Sequence, residues 1–145
     1  MLLTGKNSES GRSIVEIIGV LAIMGLITAA AFILIRAGMA SQRRSIVDDD
    51  VAEIVTGVRT LYADYDSLPS NFDGEGTLAA LSIDDNGPYS DSKYGLTRES
   101  ASVFVIKLKN LPAKECAVLG TKSWASAISV DCQADRNVLI LKYNK

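Results

Sequence analysis

From Ile17 to Ile35 the chain runs for 19 residues with no charged side chain and a single hydroxyl, that of Thr28. No proline interrupts it. As a helix at ~1.5 Å per residue the run is ~28 Å long, about the thickness of a bilayer's hydrocarbon core. Just before it stands one carboxylate, Glu16, and five positions earlier a glycine, Gly11. A charge inside an apolar span is costly, which makes Glu16 a functional candidate.

The rest of the chain has to be read around this segment. Hydrophobic residues make up 48% of the 145, and many of them lie before residue 36. The remaining ~110 residues can bury only a small core. The net charge is −2, so no basic field points to nucleic acid. There is no histidine, the commonest general base and metal ligand. Neither a glycine-rich phosphate loop, a nucleophile elbow nor a metal-ligand cluster is present. The chain therefore reads as a non-enzyme without a cofactor, metal or small-molecule substrate. Both cysteines, Cys116 and Cys132, fall in the C-terminal part. A bridge between them would contribute roughly 3 kcal/mol and would suit a small domain in an oxidising compartment. Two free buried thiols are the alternative.

Residues 1–11 are short, polar and without periodicity, as a targeting or processing segment is. Thr28–Ala31 offers a small-residue site for ordinary signal cleavage, but the apolar run continues through Ile35, long for a signal sequence. The segment Gly11-Arg12-Ser13-Ile14-Val15-Glu16 resembles the prepilin peptidase site of type IV pilins. The stretch Val20–Ala30 resembles the helix that follows it in type IVb pilins in particular. In that family a glycine ends the leader and a glutamate is the fifth residue of the mature chain. The resemblance implies cleavage after Gly11, methylation of the new amine at Arg12, and a filament whose core is built from the apolar helices. It further implies that Glu16 pairs with the terminal amine of a neighbouring subunit. Arg12 stands where the family usually has an apolar residue. Being four positions from Glu16, it is also a local partner for that carboxylate on the same helix. Gly19 and Gly25 weaken the helix by ~1 kcal/mol each relative to alanine. They read either as close-packing positions in a membrane or as points that loosen on transfer into a filament.

Lys6 and Arg12 flank one side of the span, and Arg36, Arg43 and Arg44 the other, so the charge count does not orient it. The cysteines and the resemblance both place the C-terminal part outside the cytoplasm.

After the span, Val47, Val51, Ile54, Val58, Leu61 and Tyr65 recur every three or four residues, with Ile46, Val55 and Tyr62 beside them. That is one apolar helical face. It predicts that the helix continues from about Ser13 to about Tyr65 and packs its second half on the C-terminal domain, a coiled-coil dimer being the alternative. Asp48, Asp49 and Asp50 lie mostly off the face and read as solvated, inter-subunit ion pairing with Arg43 and Arg44 being the weaker alternative.

The cluster Asp66–Asn71 ends the helix. Residues 70–98 read as loop with one short helix over Thr77–Ser82. The oxygen-rich turn Asp84–Pro88 lacks the spacing of an EF-hand. Strands are expected over Ser102–Lys109, Ala127–Asp131 and Val138–Tyr143, with a helix from Pro112 to about Gly120. The segment Phe104–Pro112 and the cysteine after it also resemble type IVb pilin heads.

The expected fold is α+β: leader 1–11, apolar transmembrane or filament-core helix 12–35, amphipathic continuation 36–65, and a small antiparallel head 66–145 stapled by one disulfide. The expected role is a structural, homo-oligomeric pilus subunit with cell adhesion among its functions. It would sit in the bacterial inner membrane with a periplasmic head before assembly, and in the extracellular fimbrium afterwards. The resemblance implies a prepilin peptidase, an assembly ATPase and a platform protein as partners. A minor pilin or type II secretion pseudopilin shares these features. An unprocessed single-pass protein with a partner-binding head is the reading from another class.

Overall fold

The structure, a computed structural model, describes the backbone of residues 8–145 and the side chains of residues 14–145. Most of the expected leader lies outside the described residues. So does any pairing of the Arg12 side chain.

Helix α1 spans Ser8–Leu61, 54 residues. It begins before the expected Ser13; Ser8–Arg12 contains no proline and a single glycine, Gly11, so nothing there forces a break. It ends four residues short of the expected Tyr65. Beyond Leu61 the backbone tightens: Ala63 N–H bonds Thr60 C=O at 3.3 Å and Tyr65 N–H bonds Tyr62 C=O at 3.2 Å. The chain then turns to bring Leu68 into the core, its N–H bonding Ala101 C=O at 2.7 Å. Leu61 and Tyr65 consequently stay exposed, contrary to the sequence pattern.

The chain divides into two compact units, one up to Ser41 and one from Gln42 to Lys145. Most of the amphipathic part of α1, residues 42–61, thus belongs to the same unit as the head, while residues 36–41 fall in the first unit. In that unit four strands, β1 (Lys93–Arg98), β2 (Val103–Lys109), β3 (Ala127–Gln133) and β4 (Val138–Asn144), form one antiparallel sheet in the order β1-β2-β4-β3. Helices α2 (Gly74–Ala80) and α3 (Ala113–Gly120) complete it. The α+β expectation holds, with a long apolar N-terminal helix, an antiparallel sheet and the Cys116–Cys132 disulfide.

Strand β1 corrects the reading of residues 70–98 as loop. Its inward positions, Tyr94 and Leu96, are buried, while Gly95 between them dilutes the local strand signal. Helix α2 starts three residues before the expected Thr77, because Asp73 caps it by accepting from Glu75 N–H. Gly74 opens that helix where a Cβ would lie 1.7 Å from the carbonyl oxygen of Leu96. Only glycine lets α2 approach β1 so closely.

The core follows the alternation. Phe104, Ile106 and Leu108 of β2 join Leu139, Leu141 and Tyr143 of β4 in one buried cluster with Val47, Val51, Ile54 and Val58 of α1. Phe104 and Tyr143 face each other in the β2–β4 register and stack with ring centroids 5.9 Å apart. The β3–β4 turn lies between the two expected strands, with Asn137 in the left-handed conformation (φ 55°) that asparagine tolerates.

Candidate functional site: the exposed apolar helix

Every residue of α1 from 14 to 39 is exposed. The most apolar 18-residue window has a mean hydropathy of 2.7, and none of it is buried within the chain. This helix near the N-terminus is long and apolar enough to cross a membrane. Leaving such a surface in water is strongly unfavourable: at ~25 cal/mol per Å² each large side chain loses roughly 1.5–3 kcal/mol by staying exposed. The surface is built to be covered by lipid or by other helices.

Details along the segment fit an apolar surrounding. Thr28 Oγ1 donates to Met24 C=O at 2.8 Å, satisfying the one hydroxyl within the helix itself. The Arg36 guanidinium lies 5.9 Å from the Phe32 ring centroid, at the point where the uncharged run ends. A Cβ placed on Gly19, Gly25 or Gly38 would meet nothing within 4 Å. The small size of these residues therefore serves no contact with the described residues.

Glu16 lies on this surface, flanked by exposed Val15, Ile17 and Ile18. Among the described side chains none pairs with it. Gly11 and Arg12, the expected processing site, have helical backbone within α1, and their side chains lie outside the described residues.

The second unit is held by polar contacts, two of them made by aspartates that the sequence pattern had read as solvated. Asp48 pairs with Lys122, and Asp50 Oδ2 accepts from Tyr94 Oη at 2.8 Å. Two of the three consecutive aspartates thus tie α1 to other elements. Arg44 makes a bidentate contact with Glu115 on α3, Nε to Oε2 at 2.7 Å and Nη2 to Oε1 at 3.0 Å. Tyr89 Oη donates to the same carboxylate at 3.2 Å, and the Arg43 guanidinium lies 5.9 Å from the Tyr89 ring centroid. The Arg44 hydrogen bonds hold the Glu115 carboxyl below its usual range. Burial, then the Glu115 charge, pushes the Tyr89 hydroxyl up to about 12. The signal was in the sequence only as charge, because spacing does not say which distant residue a charge meets.

Cys116 and Cys132 are bridged with their Cα atoms 5.6 Å apart, joining α3 to β3. Gly120 allows this, since a Cβ there would come within 2.8 Å of Cys132 Cβ. In the turn after α2, Asp84 Oδ1 accepts from the Asn86 backbone and side chain, while Asp85 Oδ2 binds Lys93 Nζ at 2.8 Å. These carboxylates are engaged with the protein. Among the described residues no group of three or more acidic, cysteine or histidine side chains is placed to hold a metal ion. No family model, no curated protein and no solved structure matches this chain.

Proposed function

We propose that the chain is a non-catalytic structural subunit of a type IV pilus, inserted in a membrane as a precursor and polymerised through its apolar helix. The observation that carries this reading is the complete exposure of residues 14–39 around a single carboxylate, Glu16. A permanently lipid-bound anchor has no need of that charge. A helix that leaves lipid to pack among copies of itself gains from it, because a buried carboxylate opposite a neighbour's terminal amine fixes the register between subunits. Gly19, Gly25 and Gly38, which meet no described residue, support close approach of such helices. The disulfide supports an exported head, periplasmic before assembly and extracellular afterwards. Prepilin peptidase, assembly ATPase and platform protein are the partners this role requires. A minor pilin or pseudopilin would use the same parts.

One observation favours a second reading. The backbone is already helical at Ser8, so the bond after Gly11 lies within α1 and a peptidase would have to unwind it. An unprocessed single-pass protein whose head meets a partner keeps that helix intact.

N-terminal sequencing of the chain, from the membrane fraction and from sheared surface filaments, decides between them. A start at Arg12 is expected. An unprocessed N-terminus in both fractions overturns the pilus reading, and a start at Phe32 identifies ordinary signal cleavage.

A further inference from the structure

The second unit has a cleft of about 260 Å³ at the C-terminal end of α1. Leu61, Tyr62, Pro69, Phe72 and Asp73 help to line it, and no lysine or arginine does. The Tyr62 hydroxyl is 3.1 Å from Thr77 Oγ1, and its ring centroid lies 5.6 Å from that of Phe72 and 5.8 Å from that of Tyr65. Leu61 and Tyr65, the end of the apolar stripe that the core leaves out, stay 42% and 59% exposed. Asp73 uses Oδ1 to cap α2, while its Oδ2 has no hydrogen bond to a described residue. A Cβ on Gly76 would lie 2.5 Å from that oxygen, so the bare glycine leaves it open to the cleft. The surrounding chain, residues 60–92, carries carboxylates and no lysine or arginine.

At the other end of the sheet the β3–β4 turn, Ala134–Asn137, is exposed throughout. The Arg136 side chain is 75% exposed, and its one ionic partner among the described residues is the neighbouring Asp135, at 3.9 Å. Leu111 N–H bonds Asn137 C=O at 2.9 Å, which ties this turn to the end of β2, whereas the Leu68–Ala101 bond ties the cleft to its beginning. The 7 residues of β2 set the two ~23 Å apart.

We propose that Arg136 of one copy of this chain seats in the cleft of the next copy, its guanidinium against the Tyr62 and Phe72 rings and its terminal nitrogens on Asp73 Oδ2. The inference rests on the filament reading and names a contact between heads. Aromatic faces beside a free carboxylate oxygen suit a planar cation that stacks while donating from its edge, as arginine does and lysine does not. The other arginines of this unit are committed or covered: Arg43 to the Tyr89 ring, Arg44 to Glu115, Arg59 to Asn144 C=O, and Arg98 half-buried. Arg136 is the one held out on a turn. Knob and socket lie at opposite ends of one sheet, so the contact is heterologous and repeats from copy to copy instead of closing a two-fold dimer.

Ala134→Cys on the turn and Asn71→Cys at the cleft, both exposed positions, are combined in the full chain. Sheared filaments are treated with a short bis-maleimide and run on a denaturing gel. The native cysteines are bridged to each other, so the introduced thiols are the ones that react. A ladder of dimers and higher multimers is expected from the pair and from neither single variant, since the two sites are too far apart to be joined within one chain. Adding Arg136→Gln is expected to weaken the ladder about tenfold, and Arg136→Lys less, with the melting temperature of the detergent-solubilised chain unchanged. Should the paired cysteines themselves reduce assembly, the filament yield of Arg136→Gln in the otherwise wild-type chain decides, an undiminished yield overturning the contact. Filaments whose paired variant gives no ladder, a ladder from Ala134→Cys alone, or a ladder unaffected by Arg136→Gln overturns the contact and leaves the pilus reading standing. A wild-type chain that forms no filaments overturns that reading and this contact with it.

Discussion

Tyr94 on β1 donates its phenolic hydrogen to Asp50 Oδ2 on α1 at 2.8 Å. The bond ties an edge strand to the helix across 44 residues of sequence. Burial, followed by the Asp50 hydrogen bond, raises the Tyr94 pKa above its ordinary 10.0. A raised acid pKa means the interaction stabilises fully below pH 10 and is lost as pH rises beyond it. Tyr94→Phe should therefore cost about 2 kcal/mol at neutral pH, the range for a hydrogen bond to a charged group. It should also reduce the loss of stability above pH 10. Urea unfolding of the full chain in detergent, at pH 7 and above pH 10, measures both. An unchanged midpoint at pH 7 would show that Asp50 needs no donor.

The opposite sign applies at acid pH. Glu115 has its pKa held below the ordinary 4.5, first by the Arg44 hydrogen bonds. Its contribution is present above pH 4.5 and is lost as pH falls through the lower folded value. The melting temperature should therefore drop between pH 5 and pH 3, and Glu115→Gln should lower it at pH 7 while flattening that acid limb. Thermal scans across the range check this, and an acid limb of unchanged slope in the variant would assign the loss to other carboxylates.

The disulfide closes a short loop, for which the chain-entropy model gives about 3 kcal/mol. Cys116 is fully buried, so the paired change Cys116→Ser with Cys132→Ser is expected to cost at least this much by leaving a hydroxyl in an apolar site. Reductant should lower the melting temperature of the wild-type chain and leave that of the double variant unchanged. Equal melting curves with and without reductant would contradict a structural role for the bridge.

Glu16→Ala tests the carboxylate on the apolar surface. The variant should insert in membranes and fold its head as the parent does, with the same circular dichroism and the same response to reductant. If the chain polymerises as proposed, filaments recovered by shearing should fall at least tenfold, the effect of removing one partner of a buried ion pair at ~3–5 kcal/mol. Normal filament yield would remove Glu16 from assembly.

Much of the fold is legible along the chain. The apolar span, the β2 alternation, the β3–β4 turn at Asn137 and the stop of α3 near Gly120 depend on neighbours within a few residues, and periodicity and turn chemistry report these. Strand β1 is not legible in the same way. Lys93–Arg98 has only two inward apolar residues with a glycine between them, and it becomes a strand because β2 offers it a ladder. Leu61 and Tyr65 continue the apolar stripe in sequence yet stay outside the core, because the chain turns to insert Leu68 instead.

The sequence alone determined that residues 17–35 form a helix with no hydrophilic face and that one carboxylate stands at its start. Composition and spacing suffice for this, since a segment with no polar side to turn outward has to be covered by lipid or by protein. Only the tertiary structure decided which charges meet: Asp50 with Tyr94, Arg44 with Glu115, Asp48 with Lys122. Those partners lie between 44 and 74 residues apart. A charge carries no local record of its partner, and the order of strands in the sheet and the packing of α1 on it place the two together.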